Sequence, residues 1–205
     1  MIDSLVSFIL GLAGGNAALA IVLFTLAVRV ALLPLSIKQA RGARVREKLA
    51  PKLKALQERH AKNPERLGKE LNALYAAEGT SPFAGILPSL AQLPFVWLIY
   101  RVATHPTALA GHTLFGAPLG QQVAGVVANF GLISMPVLVF AIVLVLLVLV
   151  AWHSSRKIEG PAWMKLMPFG SVVAALFMPL ATGLYLVVST AWTAGERQVL
   201  ASRPL

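Results

Sequence analysis

The chain has 205 residues, of which 57% are hydrophobic and 13% are charged. Because soluble domains carry about 25% charged residues, this composition excludes an ordinary water-soluble domain and predicts one compact helical membrane domain. The net charge of +10 does not indicate nucleic-acid binding, because eleven of the eighteen basic residues lie between Lys38 and Lys69. In a membrane protein, such a concentration of positive charge marks a cytoplasmic segment.

The first predicted elements are a short interfacial helix and a membrane span. Residues 1–15 contain an apolar run that is too short to cross a bilayer. We expect a helix lying at the membrane interface there, or else a frayed apolar leader. Residues 17–37 are long and apolar enough to cross about 30 Å of hydrocarbon. Five basic residues follow between Lys38 and Lys48, which predicts that this span ends in the cytoplasm and that the N-terminus lies outside.

The long polar stretch at residues 38–80 predicts a cytoplasmic helical hairpin. Leucines recur at helical spacing in both of its halves. Asn63 is suited to cap the second helix, Pro64 to occupy its first position, and Gly79 to end it. The basic faces of the hairpin suit anionic lipid. A solvated hairpin that only connects two spans explains the same pattern equally well.

Four more spans are predicted after the hairpin. They are residues 82–102, 131–152, 166–178 and 181–195, with an external loop at 104–130, a cytoplasmic loop at 153–165 and a tight outer turn near Pro179 to Thr182. Pro88 and Pro94 predict a bend in the second span, with Gln92 between them able to bond freed backbone groups. The predicted fold is therefore an all-α, polytopic membrane protein with five transmembrane helices and a cytoplasmic C-terminus.

Arg29 is the unusual residue of the first span. A charge at that depth costs between about 2.5 and more than 10 kcal/mol, depending on how far water relieves it. All eight acidic residues lie outside the predicted hydrocarbon core, so we expect no counter-ion in the same layer of the bilayer. Uncharged polar residues that could line a hydrated cavity are Thr25, Gln92, Ser189 and Thr193. The alternative is an arginine whose side chain snorkels toward the headgroups.

The sequence contains no catalytic or metal-binding constellation. It has no cysteine, no HExxH motif, no glycine-rich phosphate loop and no pair of intramembrane carboxylates. A proton-coupled carrier normally needs a buried acid, which the predicted spans lack. We therefore expect a protein that is not an enzyme, with no cofactor and no metal.

Three segments resemble the YidC/Oxa/Alb family of membrane protein insertases. The first is LFTLAVRVALLPLSIKQ, which is similar to the arginine-bearing first core span of that family. The second includes ALYAAEGTSPFAGILP and QLPF, similar to the hairpin and second span. The third, PLATGLYLVVSTAWTAGERQ, is similar to the last span. The resemblance follows the chain in order over nearly its whole length.

This resemblance implies an insertase core of five spans around a hydrophilic groove, open to the cytoplasm and to lipid and closed outside. Arg29 matches the functional charge of the family's groove, and the hairpin matches the mobile element that first receives substrate. The residues expected to line the groove are Arg29, Thr25, Gln92, Tyr185, Ser189 and Thr193. Leu186 departs from the family by replacing an aromatic residue, and the tail after Ala194 is shorter than the basic extension of some relatives.

The function implied is insertion and folding of integral membrane proteins in the bacterial plasma membrane. Its partners are nascent membrane proteins and the bilayer, and a Sec-type translocon and the ribosome are further candidates. Two alternatives from other classes stay open. One is a small anion-binding transporter or channel that uses Arg29, and the other is a structural partner of another translocation complex.

Overall fold

The computed structural model describes residues 11, 13–60, 63–79, 87–104, 109, 111–158 and 162–202, which are mostly helical. In chain order its elements are α1 (Ala17–Arg59), α2 (Pro64–Ala77), α3 (Leu87–Thr104), β1 (Thr113–Leu114), β2 (Ala117–Pro118), α4 (Val123–Phe130), α5 (Met135–Ser155), α6 (Ala162–Leu166), a 3-10 helix (Met167–Phe169), α7 (Gly170–Phe177) and α8 (Leu180–Ser202). They form two compact units. Unit 1 is drawn from Met1–Ala31 and Phe95–Val199, and unit 2 from Leu32–Pro94 and Leu200–Leu205.

Helix α1 is 43 residues long and does not end where the hydropathy falls. The first predicted span stops at residue 37, yet the helix continues past Pro34 and Pro51 to Arg59. A proline in a helix interior removes one backbone hydrogen bond, but neighbouring groups and local adjustments can satisfy the freed carbonyl. The change from apolar to basic residues therefore does not mark the end of the helix.

Within unit 2, a short turn separates the end of α1 from α2. Asn63 caps α2 as the sequence predicts, because its Oδ1 accepts a hydrogen bond from the Arg66 backbone N–H at 3.1 Å. Gly79, with φ of +63°, follows the last turn of α2. Two side-chain contacts join this part of the unit: an ion pair from Lys52 Nζ to Glu78 Oε1 at 3.7 Å, and a contact of 3.0 Å between His60 Nε2 and Glu70 Oε2.

We expect Asn63→Ala to loosen the start of α2. Loss of a side-chain cap costs about 1 kcal/mol, because one orphan backbone N–H loses its acceptor. Hydrogen exchange on the full chain in lipid should show faster exchange at Arg66 and its neighbours. The matched control is Asn72→Ala, which changes an exposed residue inside the same helix and should leave this exchange as slow as in the native chain. Equal exchange in both variants would argue against the cap.

The predicted external loop at 104–130 contains regular structure, including two strands of two residues each, whereas the described residues as a group are mostly helical, as predicted. Strands β1 and β2 pair antiparallel, with Thr113 opposite Pro118 and Leu114 opposite Ala117. The two-residue turn between them, Phe115 and Gly116, has φ of +48° and +83°, as a tight hairpin turn of the right-handed twist requires. Helix α4 follows at Val123–Phe130.

The core of unit 1 lies against one face of α5. Val139, Phe140, Val143 and Leu147 are buried at helical spacing, whereas aliphatic residues on the other faces, such as Val145 and Leu149, are more than half exposed. A helix with exposed aliphatic residues all round its outer faces is typical of contact with lipid. Leu119 and Val126 from the segment before α5, and Leu180 and Tyr185 from α8, complete the buried cluster.

Backbone hydrogen bonds hold the start of helix α8 in this core. The backbone N–H groups of Leu180 and Ala181 donate hydrogen bonds to the carbonyl oxygens of Gln121 and Leu119, at 3.0 and 2.9 Å. These bonds satisfy two of the donors that a helix leaves open in its first turn. Helix α7 ends at Phe177 and α8 begins at Leu180, so the break lies at Met178 and Pro179 and α8 already begins within the turn predicted near Pro179 to Thr182. Helix α8 then runs to Ser202, seven residues beyond the predicted end of the fifth span.

Two helical segments in the described part of the chain are long and apolar enough to cross a membrane. They are Ala17–Lys38, with a mean hydropathy of 2.4, and Met135–Ser155, with a mean hydropathy of 3.0. Of the shorter apolar helical segments, Leu93–Val102 falls within the predicted second span, and Ala162–Phe177 overlaps the predicted fourth span but begins four residues before it. The count of five spans stays a prediction. The interfacial helix predicted at residues 1–15 lies mostly outside the described residues.

Candidate functional site around Arg29

Arg29 makes a direct contact between the first and last helices of unit 1. It lies in the apolar part of α1 and is partly buried. Its Nη2 donates a hydrogen bond to Oγ of Ser189 on α8, 160 residues along the chain. Because a cation in apolar surroundings is costly unless it is paired or hydrated, this bond offsets part of the burial cost of Arg29.

Ser189 belongs to a polar face of α8. Tyr185, Ser189 and Thr193 follow one another at intervals of four residues, so their side chains lie on one side of the helix. Ser189 is 1% exposed and Tyr185 is 2% exposed. Tyr185 is also near enough to Arg29 to act on it electrostatically. The structure thus places Arg29, Ser189 and Tyr185, three residues of the predicted groove, at one site.

The two predicted threonines bond to their own helices. Thr25 is 1% exposed, and its Oγ1 donates to the carbonyl of Ile21 at 2.6 Å. Thr193 Oγ1 donates to the carbonyl of Ser189 at 2.9 Å. Both hydroxyl protons are therefore used locally, which leaves the oxygen lone pairs to accept from other groups. The side chain of Gln92 lies outside the described residues, so its place in the groove stays a prediction.

Glu196 lies near this site but is not among the groove residues predicted from the sequence. It lies seven residues after Ser189, which is two helical turns along the same face of α8. Its carboxylate lies near Arg29, but the two side chains form no ion pair within 4.0 Å. The expectation that Arg29 has no counter-ion in the same layer of the bilayer is therefore not contradicted and stays a prediction. The helical spacing from Ser189 would have indicated that Glu196 lies on the same face of the helix. It was missed because the predicted fifth span ends at residue 195.

Buried polar atoms without a hydrogen-bond partner gather on α8. Among the described side chains, three such atoms are found, and all belong to this helix: Thr182 Oγ1, Trp192 Nε1 and Glu196 Oε1. More than nine in ten buried polar groups in proteins are hydrogen-bonded, so such a cluster on one helix is unusual. The described residues contain no group of three or more His, Asp or Glu side chains that could hold a metal ion.

Comparison with known proteins agrees with these features. A family model described as the 60Kd inner membrane protein matches residues 8–204. The membrane protein insertase MisCA of Bacillus subtilis is 27% identical over 195 residues, covering 91% of this chain and 71% of that protein. A membrane protein insertase YidC of Streptomyces avermitilis is 28% identical over 213 residues, covering 87% and 50%. One from Clostridium perfringens is 38% identical over 98 residues, covering 48% and 41%.

The extent of these matches decides the family. The chain spans about half or less of the length of two of these three relatives, but the family model takes in all except a few terminal residues. The resemblance to the YidC/Oxa/Alb insertases is confirmed, and the chain is a membrane protein. It belongs to the 60Kd inner membrane protein family, whose relatives of similar sequence are named YidC and MisCA membrane protein insertases.

Proposed function

We propose that this chain inserts and folds integral membrane proteins, and that it receives the polar outer segment of a substrate in a hydrophilic groove centred on Arg29. The observation that carries the proposal is the hydrogen bond between Arg29 and Ser189. It brings a fixed positive charge in an apolar helix against a polar face of α8, in a chain whose family relatives are named insertases.

The unpartnered polar atoms of α8 support the proposal that the groove is hydrated. Thr182, Trp192 and Glu196 each hold one buried donor or acceptor that finds no partner among the described groups. Leaving such a group unsatisfied costs about 1–3 kcal/mol. Water or the polar segment of a substrate would satisfy these groups, and either would keep the region around Arg29 hydrated.

The groove would lower the barrier to insertion without a cofactor or nucleotide. A polar segment that enters hydrated surroundings beside Arg29 has less hydrocarbon left to cross, and an acidic segment is attracted by the positive charge. The hydrophobic segment of the substrate then moves into lipid, which is favourable by about 25 cal/mol for each Å² removed from water. Arg29 and the polar face of α8 thus favour entry of the polar segment, and burial in lipid favours insertion of the hydrophobic segment.

The proposed topology has five spans, with the N-terminus outside and the C-terminus in the cytoplasm of a bacterium. Residues 38–80 form the cytoplasmic hairpin that first meets substrate, and the groove opens to the cytoplasm and to lipid. The side chains proposed to line it are Arg29, Thr25, Gln92, Tyr185, Ser189 and Thr193. Nascent membrane proteins are the substrates, and a Sec-type translocon and the ribosome are further proposed partners.

Reconstitution of the purified full chain into vesicles tests the function. A short single-span substrate with an acidic outer segment is added, and its insertion is measured by protection of that segment from external protease. We expect a protected fraction well above that in vesicles without protein. Equal protection in both would contradict insertase activity, and flux of small anions without protection of the substrate would favour a transporter or channel.

Single cysteines test whether the groove opens on one side. The chain has no native cysteine, so Gln92→Cys and Thr193→Cys can be made without further changes. We expect a membrane-impermeant maleimide to label both from the cytoplasmic side and neither from outside. Asn72→Cys in α2 and Gly120→Cys after β2, both exposed positions, report labelling from the inner and outer sides. Labelling of the groove positions from both sides would indicate a pore.

A further inference from the structure

The position of Glu196 gives it an electrostatic role at the Arg29 site. Glu196 and Ser189 lie two turns apart on one face of α8, separated by about 10 Å along the helix axis. Ser189 accepts the hydrogen bond from Arg29, and the charge of Glu196 acts on the same guanidinium. The site therefore contains one cation and one anion that attract each other without closing an ion pair.

One oxygen of the Glu196 carboxylate is buried without a hydrogen bond. Among the described groups, Glu196 Oε1 has no hydrogen-bond partner. Arg197, the next residue, is exposed, and it projects about 100° around the helix from Glu196. The close pairs of basic and acidic side chains in the described residues, Lys52 with Glu78 and His60 with Glu70, both belong to unit 2. Arg29, which is bonded to Ser189 on the same face of α8, is a cation of unit 1 that lies near Glu196.

We propose that Glu196 is a specificity-determining residue, an internal competitor for the Arg29 charge that sets how strongly the site favours acidic substrate segments. The proposal rests on the insertase function proposed above. An acidic segment that approaches Arg29 must replace the attraction of Glu196 and also meets the repulsion of its carboxylate. A basic segment is repelled by Arg29 but attracted by Glu196. The site is therefore less selective for acidic segments than an isolated arginine would be.

The test compares three substrates that differ only in the net charge of the outer segment, which is −2, 0 or +2. Their insertion is measured in vesicles containing the full native chain, Glu196→Gln or Glu196→Asp. Gln has nearly the shape of Glu but no charge, whereas Asp keeps the charge. Two unit charges separated by about 10 Å in partly hydrated surroundings change an equilibrium by about two- to tenfold. We therefore expect the ratio of acidic to basic insertion to rise by about that factor in Glu196→Gln.

The conservative and matched variants separate charge from structure. Glu196→Asp should keep the ratio close to that of the native chain. Glu159→Gln removes the same formal charge from the segment between α5 and α6, and it should leave the ratio unchanged. A ratio that fails to rise in Glu196→Gln, or that rises equally in Glu159→Gln, would overturn the role of Glu196.

A double variant tests whether Glu196 acts through Arg29. In an Arg29→Gln background, adding Glu196→Gln should raise the ratio by a smaller factor than it does in the native chain, since no Arg29 charge remains to compete for. An increase as large as in the native background would overturn the competition. Failure of the insertase function itself gives a different result, because the native chain would then insert none of the three substrates above the level of protein-free vesicles.

Discussion

Replacing Arg29 by alanine should lower the initial insertion rate of a substrate with an acidic outer segment by about tenfold, which corresponds to about 1.4 kcal/mol. The change removes the positive charge from the site and the hydrogen bond that Arg29 donates to Ser189. It leaves the charge of Glu196 in place, so an acidic segment would meet repulsion where it now meets attraction. The rate is measured by protease protection in vesicles.

Two other arginine variants make this result specific. Arg29→Lys keeps the charge on a flexible stem and should retain most of the rate, although one lysine cannot reproduce the planar fork of a guanidinium. Arg101→Ala is the matched control, because Arg101 is exposed at the end of α3 and stacks on Trp97 with its Cζ 5.6 Å from the ring centroid. It should insert the substrate at the native rate. Native-like insertion by Arg29→Ala would refute the proposed role of the Arg29 charge in insertion.

Replacing Gly183 by leucine should destabilise unit 1 by about 1–3 kcal/mol, the usual cost of overfilling a packed core. A Cβ atom at Gly183 would lie 3.3 Å from Cγ1 of Val143, so α8 and α5 meet closely at this point. The longer leucine side chain would force the two helices apart beside the buried cluster. Thermal unfolding of the full chain in mild detergent, followed by tryptophan fluorescence, should show a lower midpoint.

The same helix provides the control for this variant. A Cβ atom at Gly195 would meet nothing within 4 Å, and leucine has a higher helix propensity than glycine. Gly195→Leu should therefore unfold at or above the native midpoint. Shortening the neighbour, in Gly183→Leu with Val143→Ala, should recover part of the loss. If Gly183→Leu and Gly195→Leu unfold at the same temperature, the close contact between α8 and α5 is not what limits stability.

The central pair of the site was predictable because polar residues are rare in apolar spans. Arg29 and Ser189 stood out in their segments for that reason, and the predicted neighbours are bonded to each other in the structure. Glu196 was not predicted, because hydropathy shows where a helix leaves hydrocarbon and not where the helix ends. The same limit explains α1, whose backbone continues to Arg59 through a basic sequence of high helix propensity.

The segment between the second and third predicted spans was described less well by its sequence. Its glycines and prolines indicate turns, and Gly116 at positive φ agrees with that prediction. Phe115 also has positive φ, which a phenylalanine seldom adopts, so local preference could not place the turn of the β-ribbon there. The carbonyl oxygens of Leu119 and Gln121 accept long-range hydrogen bonds from backbone N–H groups at the start of α8. These bonds compensate for the unfavourable φ of Phe115, and no local sequence pattern predicts them.

Those backbone bonds make α8 a lever with a fixed fulcrum. Leu180 and Ala181 are held by two main-chain bonds, whereas Gln198 near the other end meets α5 through an exposed side-chain hydrogen bond to His153. Ser189 lies about 14 Å from the fulcrum and Glu196 about 24 Å from it. A tilt of α8 would therefore carry Glu196 nearly twice as far as Ser189. A small rotation could separate Glu196 from Arg29 while Ser189 stays within its reach.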